Sequence, residues 1–346
     1  MKNSQLLSVS NIKQETIDSV VVSFDVGDQN AQSYKFKAGQ YLTLTSKING
    51  QTIKRSYSIC SSPQSQKLQV GVKAIENGVF SNYVNDALRE GDVLEVAFPE
   101  GRFVLDKNNK DKNYCAFAAG SGITPNMSIA EDVLESSEKS IFVLGYGNKT
   151  VSSTMFKDSL NSLKKRFPNR FFCYNIYSRE NVSDSQFGRI DSGFIKYVIN
   201  HHTEIQFEKF LLCGPEQMIK NSFETLEKMS INKESILYEL FYSSENEKNK
   251  VSNSGSSATL IYDDETISLD IPKEMTILDA ALQKNIDVPY SCQGGVCSSC
   301  IAKISSGTAT MLQNNILTES EIEEGLVLTC QAVPQSPSIT IDFDDV

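Results

Sequence analysis

Hydrophobic positions over residues 5–107 fall in short runs, such as 20–24 and 39–45, with turn-forming residues between them at short intervals. Strand-length runs interrupted in this way predict a small antiparallel barrel. From Asn113 the pattern changes. Apolar runs at 114–119, 140–146, 170–177 and 210–213 alternate with helical stretches near 124–136, 155–165, 191–200 and 215–229. Such alternation predicts a parallel sheet in an α/β domain. A polar segment rich in Ser, Asn and Gly, 244–257, then reads as a flexible linker, with a coil reach of roughly 20–23 Å. Beyond it, strands at 259–262 and 266–271 flank the turn residues Asp263, Asp264 and Glu265. A helix over 276–284 follows, with Thr276 as N-cap and Asp279 three positions on, and 338–343 alternates as a last strand. The expected chain is multidomain, with segments 1–110, 111–243, 244–257 and 258–346.

At 346 residues and 40% hydrophobic, the chain is long enough for two or three cores. No apolar run reaches the roughly 18 residues that a membrane helix needs. The start leads into no apolar block of signal-peptide type, so a cytoplasmic location is expected. The two histidines, His201 and His202, are adjacent and do not share a helix face, which argues against a site of converging histidines; both read as surface residues. The net charge of −10 disfavours nucleic acid as a partner. Its distribution is uneven: residues 258–346 hold 14 Asp and Glu against three Lys, whereas residues 1–257 are close to neutral. This asymmetry fits separate modules, one with an acidic docking face, and it fits equally an acidity that only keeps a small domain in solution.

The eight cysteines are as unevenly placed. Cys60, Cys115, Cys173 and Cys213 are scattered, whereas Cys292, Cys297, Cys300 and Cys330 have the form Cys-x4-Cys-x2-Cys followed after 29 residues by the fourth. That is the plant-type ligand spacing for a [2Fe–2S] cluster. One loop supplies three thiolates and a distant segment closes the cluster with the fourth. Gly294 and Gly295 allow positive φ and let backbone N–H groups approach the sulfurs. Two disulfides would need an oxidising compartment, and structural zinc more often shows two Cys-x2-Cys knuckles where this chain has one. Residues 289–300 with 327–330 closely resemble plant-type ferredoxins, over about residues 258–346. The resemblance implies an α+β domain of the β-grasp type with Cys292, Cys297, Cys300 and Cys330 as metal ligands.

A one-electron cluster needs an electron source, and the first segment offers a candidate. Arg55-Ser56-Tyr57-Ser58 lies in a predicted strand, so Arg55 and Tyr57 share a face. A guanidinium beside a phenol can grip a pyrophosphate and pack against a flavin, although a bare Arg-x-Tyr-Ser also describes an ordinary exposed strand. Val72-Lys73 and then Gly78-Val79-Phe80-Ser81 follow. Gly78 and Ser81 would bring backbone N–H groups to a helix N-terminus, a seat for phosphate, or would form a plain turn with Ser81 as N-cap. Together these motifs resemble the flavin-binding barrel of the ferredoxin–NADP reductase superfamily. The resemblance implies FAD held by Arg55, Ser56, Tyr57, Ser58, Val72, Lys73, Gly78, Val79, Phe80 and Ser81, with Ser58 by the flavin's reactive edge. FMN-type relatives carry Gly-Gly-Ser at the second site, and the departure here favours FAD.

In the α/β segment, Gly120-Ser121-Gly122-Ile123-Thr124-Pro125 follows the first strand and opens a helix. The glycines suit a tight turn with close phosphate approach, and Pro125 suits a first helical turn, although the full dinucleotide fingerprint is absent. Cys213-Gly214-Pro215 ends the last strong strand, at the carboxyl ends of the strands where ligands bind in such folds; alone, Cys213 also reads as a small buried filler. In the superfamily, Gly120, Gly122, Thr124 and Pro125 would seat the dinucleotide pyrophosphate, and Cys213, Gly214 and Pro215 would lie by the nicotinamide. Ser178 and Arg179, with Arg189, match a 2′-phosphate seat and point to NADPH rather than NADH, or form an ordinary loop. Glu239 and Phe241 match a terminal Glu-x-aromatic by nicotinamide and flavin, and also suit a last sheet strand with its capping turn.

The order of flavin barrel, nucleotide domain and ferredoxin resembles the reductase components of bacterial oxygenases, above all those of the phenylacetyl-CoA epoxidase type. It implies an NAD(P)H-dependent oxidoreductase in which FAD accepts hydride and the cluster takes single electrons onward. Ser58, Cys213 and Glu239 are the implied catalytic residues, and the implied partner is an oxygenase or other acceptor protein docking on the acidic ferredoxin segment. A stand-alone diaphorase, or a ferredoxin reductase serving acceptors such as a hybrid-cluster protein, is the alternative.

Overall fold

The computed structural model describes residues 4–105, 111–241, 255–263, 265–284, 286 and 288–346. The linker expected at 244–257 lies outside them except for its last three residues. The chain forms two compact units, residues 2–241 and 242–346.

The first unit begins with six antiparallel strands ordered Gln51–Ser58, Tyr41–Ile48, Val93–Ala97, Ser4–Thr16, Ser19–Asp25 and Leu68–Lys73. The sheet curls until its two edges meet. Ile59 bridges Val70, and the Cys60 amide donates to Gln69 O at 2.9 Å. Strand Ser19–Asp25 shows why the apolar run at 20–24 does not alternate. Val20, Val22 and Phe24 fill the barrel, whereas Val21 points outward into the core of the α/β half. Both faces of that strand are buried.

The α/β half is a six-stranded parallel sheet ordered Gln186–Phe187, Phe171–Tyr177, Phe142–Asn148, Asn113–Ala119, Phe207–Gly214 and Ile236–Leu240. Helices Ile123–Ser136, Lys157–Arg166, Ser192–Asn200 and Glu216–Lys228 connect its strands, within two or three residues of the predicted spans. The barrel and the sheet are joined by polar contacts as well as by apolar packing. Ser128 Oγ donates to Ser61 O at 2.6 Å, and Phe156 N donates to Glu15 Oε2 at 3.0 Å. One expectation fails here. His201 is exposed, but His202 is 5% exposed, packed on Phe172 with its Nε2 3.0 Å from Tyr174 Oη. Aromatic neighbours supplied by the adjacent strand bury it, which neighbouring positions in the sequence do not reveal.

The second unit is a five-stranded mixed sheet ordered Glu265–Ile271, Ser256–Tyr262, Ser338–Asp342, Ile301–Ser306 and Leu326–Leu328. Its first and last strands in sequence, Ser256–Tyr262 and Ser338–Asp342, pair in parallel at the centre. Helix Ile277–Gln283 packs its Ile277, Leu278, Ala280 and Ala281 into the core. Thr276 caps that helix, accepting from Asp279 N at 3.1 Å. This is the expected α+β arrangement, with a further two-stranded antiparallel sheet, Ala309–Met311 with Ala332–Pro334, that no strong sequence signal marks.

Candidate active site and cluster loop

Three implied catalytic residues meet in the first unit. Strand Gln51–Ser58 carries Ser58 to its end, and Ser58 Oγ donates to Glu239 Oε2 at 3.2 Å across 181 residues of sequence. Glu239 lies directly beside Cys213 in the parallel register of the last two strands. Ser58 is 3% exposed, Cys213 0% and Glu239 8%. Burial pushes the Glu239 carboxyl up to about 8, against the pull of the Ser58 hydrogen bond, so it is largely protonated at neutral pH. Burial also raises the Cys213 thiol far above its usual range, and the neighbouring carboxylate adds to the shift. Cys213 is a thiol here, not a thiolate nucleophile.

The remaining flavin candidates lie in the same antiparallel barrel and the helix that follows its strand Leu68–Lys73. Tyr57 is half-buried, its ring 5.9 Å from that of Phe80, and burial raises its hydroxyl pKa. Arg55 is exposed, with Nη1 donating to Lys54 O at 2.8 Å, and Ser56 Oγ lies 3.0 Å from Thr43 Oγ1. Val72 is buried, and Lys73 pairs with Asp18 at 3.3 Å. Gly78, not Ser81, is the N-cap of helix Val79–Asp86. Ser81 sits inside the first turn, where its Oγ accepts from Ile75 N at 3.3 Å and closes the preceding loop. A Cβ on Gly78 would lie 2.4 Å from both Ser81 Oγ and Ile75 Cγ1, so a larger residue there would have to displace those side chains. Val79 is exposed and Phe80 is buried under Tyr57. The cradle fits a flavin: an open helix start, an aromatic wall and an exposed guanidinium lie near a buried Ser–Glu pair.

The nucleotide turn has two glycines that are needed for different reasons. Gly120 has φ +55, and a Cβ there would meet nothing within 4 Å, so its outer side is open. Gly122 is closed in, since a Cβ would sit 2.1 Å from Cys213 O. The missing side chain lets the start of helix Ile123–Ser136 touch the strand end that carries Cys213. Thr124 Oγ1 donates to Ser121 O at 2.9 Å and Pro125 lies in the first turn. Tyr146, which the sequence marks only as one more strand residue, is fully buried and donates to Gly120 O at 3.1 Å from the neighbouring strand. Asn126 was also missed. It is 1% exposed and donates to Gly122 O at 2.8 Å, and a polar residue on an otherwise apolar helix face was the available signal. Gly214 ends strand Phe207–Gly214, and Pro215 caps helix Glu216–Lys228.

Ser178 and Arg179 leave the third parallel strand with their amides bound to Asn148 O at 3.0 Å and Lys149 O at 2.9 Å. The adjacent Glu180 is turned away, its Oε2 accepting from Val151 N at 2.8 Å. Arg189 lines a cleft of about 200 Å³ with Gln186, Phe187, Asp191 and Tyr197, a lining that does not include Ser178 or Arg179. Phe241 follows the last strand and is 43% exposed.

In the second unit, the loop before Ile301 carries three cysteines and the segment after Leu328 carries the fourth. Cys297, Cys300 and Cys330 are buried and Cys292 is partly so, and none of the four is in a disulfide. Cys292 contacts the Cys297 and Cys330 thiols, and Cys330 in turn contacts Cys300. Those contacts, with the amides of Val296 and Gly294, hold the Cys292 thiol well below the usual range. Gly294 N reaches Cys292 Sγ at 3.4 Å. Among the described residues no three of His, Cys, Asp and Glu close around a single ion. A linked set of four thiols, without carboxylate or imidazole, suits a dinuclear iron–sulfur cluster.

Comparison with known proteins accords with this composite. Residues 6–105 match the family model of the oxidoreductase FAD-binding domain, 117–223 that of the oxidoreductase NAD-binding domain, and 260–335 that of the 2Fe-2S iron-sulfur cluster binding domain. The chain is 36% identical to a component of the 1,2-phenylacetyl-CoA epoxidase of Escherichia coli (strain K12), covering 98% of this chain and 97% of that protein. It belongs to the oxygenase-reductase family of the ferredoxin–NADP reductase superfamily. The ferredoxin reductase component of 3-ketosteroid-9-alpha-monooxygenase from Rhodococcus rhodochrous is 30% identical, over 98% of this chain and 97% of that protein. The fold is similar to that of phthalate dioxygenase reductase, with a TM-score of 0.62 and 23% identity over 98% of each chain. This member of the family is an NAD(P)H-dependent oxidoreductase with FAD-, NAD(P)- and [2Fe–2S]-binding domains.

Proposed function

We propose that this reductase delivers electrons from NADPH, through its ferredoxin unit, to an oxygenase of the phenylacetyl-CoA epoxidase type. The observation that carries the site assignment is the Ser58–Glu239 contact beside Cys213, where the flavin barrel and the nucleotide sheet converge on one buried point. When bound, FAD supplies the conversion of a two-electron hydride into single electrons for the cluster. Ser58 and Glu239 hold a proton at this point, with the Glu239 carboxyl as its store near neutral pH. Cys213, kept neutral and at the strand end, shapes the space for the nicotinamide. Gly120, Gly122 and Thr124 present backbone N–H groups, and Pro125 a helix start, to pyrophosphate. Arg55 meets the flavin pyrophosphate, with Gly78 to Ser81 as its second seat, and Tyr57 with Phe241 borders the flavin ring. Cys292, Cys297, Cys300 and Cys330 hold the cluster.

The segments 1–110, 111–243, 244–257 and 258–346 serve as flavin domain, nucleotide domain, linker and ferredoxin domain. The assignment of four cysteines as cluster ligands rather than as disulfide partners fits a reducing, cytoplasmic setting. Among the described residues no helix is long and apolar enough to cross a membrane. The acceptor docks on acidic surface of the ferredoxin unit: Asp263, Glu265, Glu319, Glu323 and Glu324 are exposed, whereas Glu321 is engaged in capping its own helix through Thr318. Asp264 lies outside the described residues. Ser178 and Arg179 set the preference for NADPH, with Glu180 tied to Val151 N and so withdrawn from the pair.

Transfer to the reconstituted oxygenase, measured against ionic strength, tests the docking. Rates falling steeply from low salt to about 0.5 M support it, because exposed charges are screened within roughly 10 Å at 0.1 M. Salt-independent transfer assigns the acidity to solubility alone. Arg179→Ala is expected to raise the KM for NADPH and leave that for NADH unchanged; equal KM values for both nucleotides, before and after the change, contradict the NADPH preference.

A further inference from the structure

Gln331 follows the fourth cysteine and is 3% exposed. Buried carboxamides are hydrogen-bonded almost without exception, so the partners of this one carry information. Its Nε2 donates to Gln293 O at 3.0 Å and lies 3.7 Å from Cys330 Sγ. Gln293 is 38 residues earlier and sits in the cysteine loop, between Cys292 and Cys297. The fit is close. A Cβ on Gly295, which has φ +69, would stand 2.9 Å from Gln331 Cγ, so the loop leaves out a side chain where Gln331 crosses it. The backbone of Gln331 is fixed on both sides, its amide donating to Leu328 O at 2.8 Å and its carbonyl accepting from Leu312 N at 2.9 Å.

One carboxamide therefore joins the loop that carries three cysteines to the sulfur of the fourth. We propose that Gln331 is a positioning residue for the iron–sulfur cluster, which locks the cysteine loop against the Cys330 segment and directs an N–H at the Cys330 sulfur. This rests on the assignment of the four cysteines as cluster ligands. An added electron increases negative charge on the sulfurs, and an N–H donor stabilises that state more than the oxidised one. Gln331 thus raises the reduction potential and slows cluster loss.

Gln331→Met keeps the length and removes the donor. Gln331→Glu keeps the shape and replaces the donor with a charge. In full-length protein both variants are expected to leave NADPH-driven flavin bleaching at the wild-type rate. The cluster potential should fall, further in the Glu variant, and the EPR g values of the reduced cluster should move. Cluster bleaching by an iron chelator should be faster by about tenfold or more, the usual effect of removing a partner of a metal ligand. Folded variants that lose iron and sulfide altogether, with all four cysteines intact, give the same answer in stronger form. Wild-type potential, EPR spectrum and chelator kinetics in both variants would overturn the proposal. Wild-type protein without iron and sulfide would instead remove the cluster assignment on which it rests.

Discussion

Glu239 is buried beside Ser58 and Cys213, and its carboxyl titrates near 8 because burial penalises the charge. The fold favours the protonated form, so the stability gained is complete below the ordinary carboxyl value, 4.5, and is lost as pH rises through about 8. Glu239→Gln, neutral at every pH, is expected to melt progressively further above wild type as pH rises from 4.5 to about 8, and several degrees above it at pH 9. Parallel Tm values across that range would show that the carboxyl is not held protonated. Some residues of the site were legible as motifs and others were not. The four-cysteine spacing has few physical alternatives, and Arg-x-Tyr-Ser gained meaning from its order with Gly78-Val79-Phe80-Ser81. The meeting of Ser58 with Glu239 spans 181 residues, and nothing local in either segment marks it. Tyr146 and Gln331 were invisible for the same reason, since each acts through an atom brought by another segment.

The element proposed to seat the nucleotide is the turn from strand Asn113–Ala119 into helix Ile123–Ser136, with Tyr146 beneath it. Tyr146→Phe removes one buried hydrogen bond and leaves Gly120 O without it, a loss worth about 1–3 kcal/mol. The KM for NADPH should rise by roughly tenfold with little change in kcat, and flavin content should hold. A fall in kcat at unchanged KM would place Tyr146 in the chemistry instead. Gly120→Ala and Gly122→Ala separate two requirements of the same turn. The first meets open space, so its cost is the positive φ, about 1–2 kcal/mol, whereas the second meets Cys213 O at 2.1 Å and must move the helix or the strand. Gly122→Ala is expected to show the larger loss in both Tm and NADPH affinity, and the reverse order would contradict the packing. Most strands and helices of this half were legible because buried parallel strands are continuous apolar runs. The two-residue strand Gln186–Phe187 and, in the second unit, the three-residue strand Ala309–Met311 were not, being too short to carry a period.

At the scale of the whole molecule, the charge and the cysteines divide along the same line as the electron path. Residues 2–241 form one compact unit in which the flavin and nucleotide candidates converge, and residues 242–346 form the acidic unit that carries the four cysteines. Hydride chemistry should therefore survive the loss of the cluster, whereas electron delivery should not. Anaerobic stopped-flow mixing of NADPH with wild type and with Cys297→Ser tests that division most directly. In both proteins the flavin band should bleach at the same rate, and in wild type the cluster band should follow, with electrons passed to a one-electron acceptor protein; Cys297→Ser should stop after the flavin. Loss of flavin bleaching itself in Cys297→Ser, with FAD still bound, would contradict the proposed order of electron transfer.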